Sequence, residues 1–149
     1  MIEVINANIL TAKEDIIVQQ VNCMGVMGAG LALAIKKKYP IVYDRYMSLC
    51  SIMEPEELLG RVQSIEIDND KTIINMFSQL KYGRGSKHTD YEAMKKCFYK
   101  IYLYAKLKGL TVAIPYNIGC GLGGGSWPIV LNIIEKSFKD KSIVKIYKI

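Results

Sequence analysis

A chain of 149 residues, half hydrophobic and 23% charged, has the make-up of one ordinary globular domain, here taken as residues 1–149. Those proportions exclude a disordered tail, a collagen-like fibre and a low-complexity linker; at this length a fold buries roughly 68% of its unfolded surface, enough for one core. Twenty basic against fourteen acidic side chains leave a net charge of +6, which admits an anionic partner. The lysines are scattered, Lys36-Lys37-Lys38 apart, and such diffuse charge argues against nucleic acid as the partner. The four cysteines at 23, 50, 97 and 120 include no C-x-x-C pair and are joined by a single histidine, too few ligands for a zinc set. Met1–Asn6 lacks the basic start and apolar run of a secretory leader, and no window approaches the ~20 apolar residues of a membrane span. A cytoplasmic monomer without metal, cofactor or membrane partner is expected.

Ile2–Ile5 and Asp15–Val21 read as strands, the second nearly continuous in apolar residues (Ile16, Ile17, Val18, Val21), as a strand covered on both faces is. Ala29–Lys38 predicts a helix that opens at glycines and ends in cations suited to its C-terminal dipole. Pro40 stops it, and Ile41–Ser51 predicts a second helix. Arg61–Ile67 and Thr72–Phe77 predict two more strands. Thr89-Asp-Tyr-Glu92 fits a capping box, with Thr89 as N-cap of a helix that reaches Lys108 and is closed by Gly109. Leu110–Pro115 reads as a strand, Trp127–Phe138 as a helix capped by Ser126 with Pro128 in its first turn, and Ser142–Ile149 as the last strand. Strands alternating with helices define an α/β fold, a mixed but largely parallel sheet of about six strands between helical layers. Ligands of such sheets bind beyond the carboxyl ends of the strands.

Two of those ends run into glycine-rich loops, Asn22-Cys-Met-Gly-Val-Met-Gly-Ala-Gly30 and Tyr116-Asn-Ile-Gly-Cys-Gly-Leu-Gly-Gly-Gly125. Together they hold eight of the twelve glycines. Glycine lets a ligand approach the backbone closely, and amides at a helix start suit phosphate. Neither loop is a P-loop, since no Gly-Lys-Ser/Thr follows. Neither carries the downstream acidic ribose partner of a dinucleotide-dehydrogenase fingerprint.

With Val21-Asn-Cys-Met-Gly-Val-Met-Gly-Ala-Gly-Leu-Ala32 and, about 90 residues on, Ile114-Pro-Tyr-Asn-Ile-Gly-Cys-Gly-Leu-Gly-Gly-Gly-Ser-Trp127, the chain resembles a macrodomain, the ADP-ribose-binding fold. Lys36-Lys-Lys-Tyr-Pro40, Asn75-Met-Phe-Ser-Gln79 and Thr89-Asp-Tyr-Glu-Ala93 are similar to one branch of it. That branch holds the terminal ADP-ribose-protein glycohydrolases, the ADP-ribose-1″-phosphate phosphatases and phage-type macrodomains. The resemblance covers essentially the whole chain and implies a three-layer α/β/α fold. It places Asn8 and Ile9 at the adenine, Asn8 standing where the family has an aspartate, and Tyr147 as an aromatic against the base. It sets Asn22 facing the distal ribose and Met27, Gly28, Ala29 and Gly30 around that ribose and the pyrophosphate. Pro115, Ile118, Gly119, Cys120, Gly121, Leu122 and Gly123 would cradle the pyrophosphate from the other side.

In the lysine-dependent glycohydrolases of this branch, a lysine follows the strand that here ends in Asn75-Met-Phe-Ser78, and an aspartate in the phosphate loop assists. Those positions fall on Gln79 and Gly123, which speaks against covalent Schiff-base chemistry; Lys81 lies two residues on. The candidate catalytic residues are Asn22, Gln79 and His88. An amide cannot act as a base at neutral pH but positions a water or hydroxyl, and His88 is the only imidazole in the chain. Lys81, Arg84 and Lys87 are candidates to clamp a terminal phosphate. Cys120 and Trp127 read as packing residues. The first functional reading is an ADP-ribose-binding hydrolase acting at the distal ribose, on a 1″-phosphate or an ADP-ribosyl carboxylate ester. The second is a reader that holds ADP-ribose, its adducts or ADP-ribosylated protein without turnover; the third is an RNA-binding macrodomain.

Overall fold

The computed structural model describes residues 1–68, 70–83 and 87–149. Six strands form one sheet: β1 (Glu3–Asn6), β2 (Ile16–Asn22), β3 (Val62–Asp68), β4 (Lys71–Gln79), β5 (Val112–Pro115) and β6 (Val144–Lys148). The helices are α1 (Gly30–Lys38), α2 (Pro40–Ile52), the single turn α3 (Pro55–Leu58), α4 (Tyr91–Lys108) and α5 (Trp127–Ser137), with 3₁₀ turns at Ile9–Thr11 and Lys141–Ile143. The strand order is β1-β6-β5-β2-β4-β3, parallel throughout except for the antiparallel edge strand β3. The α/β architecture expected from the sequence is therefore the observed one.

Side chains alternate across β2 and β4 and feed two cores. Ile16, Val18, Ile74 and Met76 meet α4 and α5 through Met94, Phe98, Ile101, Val130 and Ile134. Ile17, Val21, Ile73 and Phe77 meet α1 and α2 through Ile35, Val42 and Tyr46. The second face also carries a polar rung. Gln19 Nε2 donates to Asn75 Oδ1 (2.7 Å), Asn75 Nδ2 to Gln63 Oε1 (3.0 Å), and Gln63 Nε2 to the Arg45 carbonyl (2.9 Å). Gln19, Asn75 and Gln63 are register partners on three adjacent strands, so a slip of one residue would bury unpaired amides.

Several element ends differ from the sequence reading. Thr89 is not the cap of α4: Asp90 is, its side chain accepting from Ala93 N at 3.0 Å. The buried Thr89 hydroxyl is drawn instead to the Gly119 carbonyl (2.7 Å). Gly109 closes α4 in the left-handed conformation (φ 68°) as expected, but Leu110 N still bonds to the Ala105 carbonyl at 2.9 Å, which delays β5 to Val112. Asp140 accepts from Ser142 N at 3.1 Å and holds a turn where β6 was expected to begin. Ser126 is the N-cap of α5 by position, but its side chain makes no capping bond.

The cores set an alkaline limit. Burial raises the thiols of Cys23 and Cys97 to about 12 and the Tyr147 phenol to about 12, where the acceptor Glu14 adds to the shift. A raised acid favours the folded state while protonated, so this contribution is intact below the ordinary thiol pKa and is lost as pH rises towards the folded values. The melting temperature is expected to fall by about 5 °C or more between about pH 9 and 11. A flat profile in calorimetric scans over that range would contradict the burial of these groups.

Candidate functional site

The parallel strands β1, β6, β5, β2 and β4 all present their carboxyl ends to one side, and a groove crosses these ends in sheet order. Three contiguous hollows compose it, of about 360, 250 and 350 Å³, the two outer ones each of a size usual for small-molecule sites. The first lies over β1, β6 and β5 and is lined by Asn8, Ile9, Leu31, Pro115, Tyr116 and Tyr147. The middle one runs between the start of α1 at Gly30 and Leu31 and the loop Ile118–Gly123. The last is bounded by Gln20, Asn22, Gly28, Gln79, Tyr82 and Leu122. Leu31, Pro115 and Tyr116 are shared by the first two hollows, Ala29, Gln79 and Leu122 by the last two.

The first glycine loop is fixed from inside. Asn22 is 7% exposed; its Nδ2 donates to the Val26 carbonyl (2.7 Å), and its Oδ1 accepts from Met24 N (3.0 Å) and Val26 N (3.3 Å). The Tyr46 hydroxyl, reaching up from α2, accepts from Gly25 N and Val26 N, both at 3.1 Å, and lies 2.7 Å from the Asn22 carbonyl and 2.8 Å from its Oδ1. Asn22 is thus at the distal end of the groove, but most of its hydrogen-bonding capacity is spent on the loop itself. At the following helix start, Ala29 provides no side-chain cap, which leaves the first amides of α1 unsatisfied by side chains beside the middle hollow.

The second loop is held by a side-chain hub that the sequence reading missed. Gln20 Nε2 donates to Gln79 Oε1 and to Thr89 Oγ1, each at 3.0 Å, while Gln20 Oε1 accepts from Ser78 Oγ at 2.7 Å. Thr89 passes the connection to the Gly119 carbonyl, and Gly125 N closes on that same carbonyl at 2.8 Å. The loop packs so tightly on this hub that a Cβ at Gly123 would lie 2.5 Å from Thr89 Oγ1, 2.8 Å from the Gly119 oxygen and 3.0 Å from Gln20 Nε2. The position that the resemblance assigns to an aspartate has no room for one. The available signal was two consecutive glutamines in a strand buried on both faces, since such amides must find side-chain partners.

Of the residues expected at the site, Asn8, Ile9, Gly28, Ala29, Gly30, Pro115, Ile118, Gly119, Gly121, Leu122, Gly123, Gln79 and Tyr147 line the groove. Met27 and Cys120 do not. Met27 is 2% exposed and packs into the core beneath α1, leaving Val26 and Gly28 as the wall. Cys120 leans on the opposite core, and burial raises its thiol, as suits a packing residue. Asn8 Oδ1 accepts from Leu10 N at 3.0 Å and so caps the 3₁₀ turn. Tyr147 donates its hydroxyl to Glu14 Oε1 at 2.5 Å, which fixes its ring at the groove. Trp127 is only half-buried and packs on Tyr116, ring centroids 4.6 Å apart, so it backs the groove wall as well as the core.

His88 lies outside the groove lining and is joined to the loop by its backbone, His88 N donating to the Gly123 carbonyl at 2.8 Å. Lys87 sits over the Tyr91 ring, 4.4 Å from its centroid. Lys81 is exposed, and its carbonyl accepts from Gln79 Nε2 at 2.6 Å. Arg84, the remaining cation of the expected phosphate clamp, lies outside the described residues. Among the described residues, no Asp, Glu, His, Lys, Arg or Cys side chain lines the groove, and no group of three or more His, Cys, Asp and Glu could hold a metal ion.

A parallel sheet whose strand ends carry a groove between two glycine loops is the arrangement of a phosphate-bearing-ligand fold. Residues 18–134 match the Macro domain, and the chain belongs to that family. It is 30% identical over 138 residues to a DNA ADP-ribosyl glycohydrolase of Mycobacterium tuberculosis, an alignment that takes in 91% of this chain and 38% of the relative. The chain thus spans about two fifths of that relative's length. Among solved structures, a Bacteroides thetaiotaomicron protein of unknown function superposes with a TM-score of 0.89 at 28% identity, covering 100% of this chain and 98% of that one. The macrodomain of Mycobacterium tuberculosis DarG superposes with a TM-score of 0.85 at 25% identity, over 100% and 98%.

Proposed function

We propose that this chain binds ADP-ribose along the groove and hydrolyses the bond between its distal ribose and a substituent, a 1″-phosphate ahead of an ADP-ribosyl carboxylate ester. The observation that carries this reading is the continuity of the groove across five strand ends, with residues of both glycine loops lining its middle and Gln79 and Tyr82 bounding its last hollow. Base and adenosine ribose would occupy the hollow at Ile9 and Tyr147, the pyrophosphate the middle, and the distal ribose the hollow at Asn22 and Gln79. There Gln79 would hold the attacking water. With no acidic side chain among the described residues that line the groove, the leaving group has to depart as a stable anion. Phosphate and carboxylate do so unaided, whereas a nucleobase nitrogen needs a proton donor. ADP-ribosylated DNA, to which the name of the mycobacterial relative points, therefore ranks behind them.

Titration calorimetry is expected to give micromolar binding of ADP-ribose and much weaker binding of AMP. Chromatography should then find free ADP-ribose released faster from the 1″-phosphate and ester adducts than from ADP-ribosylated DNA. No heat with either nucleotide would overturn the reading. The same absence of acid and base among the described groove residues favours a second reading, a non-catalytic ADP-ribose reader; binding with no product from any adduct after overnight incubation would establish it.

A further inference from the structure

The two positions at which the branch's reactive groups are missing converge on one side chain. Gln20 Nε2 is 3.0 Å from Gln79 Oε1 and would lie 3.0 Å from a Cβ at Gly123. Both Nε2 hydrogens of Gln20 are committed, to Gln79 and Thr89, and its Oε1 is occupied by Ser78. Gln20 has no donor left for a ligand, although it borders the last two hollows. Gln79 differs. It gives one Nε2 hydrogen to the Lys81 carbonyl and one Oε1 lone pair to Gln20, which leaves one donor and one acceptor at the junction of those hollows.

We infer that Gln20 is a positioning residue: it fixes the Gln79 carboxamide so that its remaining hydrogen and lone pair hold a water against the distal ribose. This rests on the hydrolytic reading above. In that step the water oxygen bonds to the anomeric carbon, the bond to the substituent breaks with its electron pair, and the water's proton goes to the departing anion. Without Gln20 the Gln79 amide keeps only its bond to the Lys81 carbonyl and loses the one that fixes Oε1, and misplacing a reactant by about 1 Å costs roughly a hundredfold in rate.

The test uses the full chain and ADP-ribose 1″-phosphate with Gln20→Met, Gln79→Met and the double variant. Each single variant is expected to lower kcat about a hundredfold with KM and ADP-ribose affinity within about twofold, and the double variant to be no slower than the slower single one, because both remove the same water contact. Gln20→Glu keeps the acceptor for Ser78 and loses both donors; it repeats the kcat loss should Gln20→Met fail to fold. Additive losses, or weaker ADP-ribose binding at unchanged kcat, would make Gln20 a brace of the loop and overturn the positioning role alone. A wild-type chain that releases nothing from any adduct overturns hydrolysis itself and the role with it.

Discussion

Gly121→Val is expected to weaken ADP-ribose binding a hundredfold or more, about 3 kcal/mol, and to leave the melting temperature within about 2 °C of the parent. A Cβ at Gly121 meets nothing within 4 Å, and the residue lies outside the left-handed region that would strain valine. The fold therefore tolerates the branched side chain, while the middle hollow, which Gly121 lines, receives it where the proposed binding mode puts the pyrophosphate. Circular dichroism melts and calorimetric titration read the two halves separately. A variant that binds normally would remove the phosphate site from this loop.

Gly123 should behave in the opposite way. Gly123→Ala pushes a methyl group to within 2.5 Å of Thr89 Oγ1 and 2.8 Å of the Gly119 carbonyl. The neighbours are a hydrogen-bonded hydroxyl and backbone, not the loose end of a long side chain. Overpacking of this kind costs about 1–3 kcal/mol, a fall of roughly 3–10 °C in melting temperature for a domain of this size. Gly123→Asp should fall further, because the same contacts are joined by a partly desolvated charge. It should also gain no glycohydrolase activity, even with Gln79→Lys beside it. A stable, faster Gly123→Asp variant would mean that the loop opens in solution in a way that frees Thr89.

The parallel sheet was legible because apolar runs, glycine loops and cationic helix ends repeat along the chain, and each has one physical meaning. Val112-Ala-Ile-Pro115 followed by Gly119, Gly121 and Gly123–Gly125 could hardly be other than a buried strand feeding a close-approach loop. What escaped was set by pairings distant in sequence. Thr89-Asp-Tyr-Glu92 satisfies the capping-box pattern, yet the helix starts one residue later because Gly119, thirty residues away, claims the threonine hydroxyl. Gln19 and Gln20 interrupt an apolar run; strand alternation turns them to opposite faces, but only the sheet order reveals what each meets, one the polar rung with Asn75 and the other Gln79 and Thr89. Met27 sits among groove-lining neighbours in sequence, but nothing local to it could indicate that its side chain turns inward.

The hydroxyl of Tyr46 reaches farther than its place suggests. It belongs to α2 and is fully buried, with no share in the groove surface, yet four atoms of the Asn22–Val26 segment converge on it. A substitution survey confined to residues that a ligand touches would therefore leave out a residue that shapes the distal mouth. Sequences that keep every groove residue but replace this tyrosine by phenylalanine would carry the same visible motif over a loop left with only its Asn22 side-chain anchor. Motif identity alone is then a poor guide to which members of such a set accept the same substituent on the distal ribose.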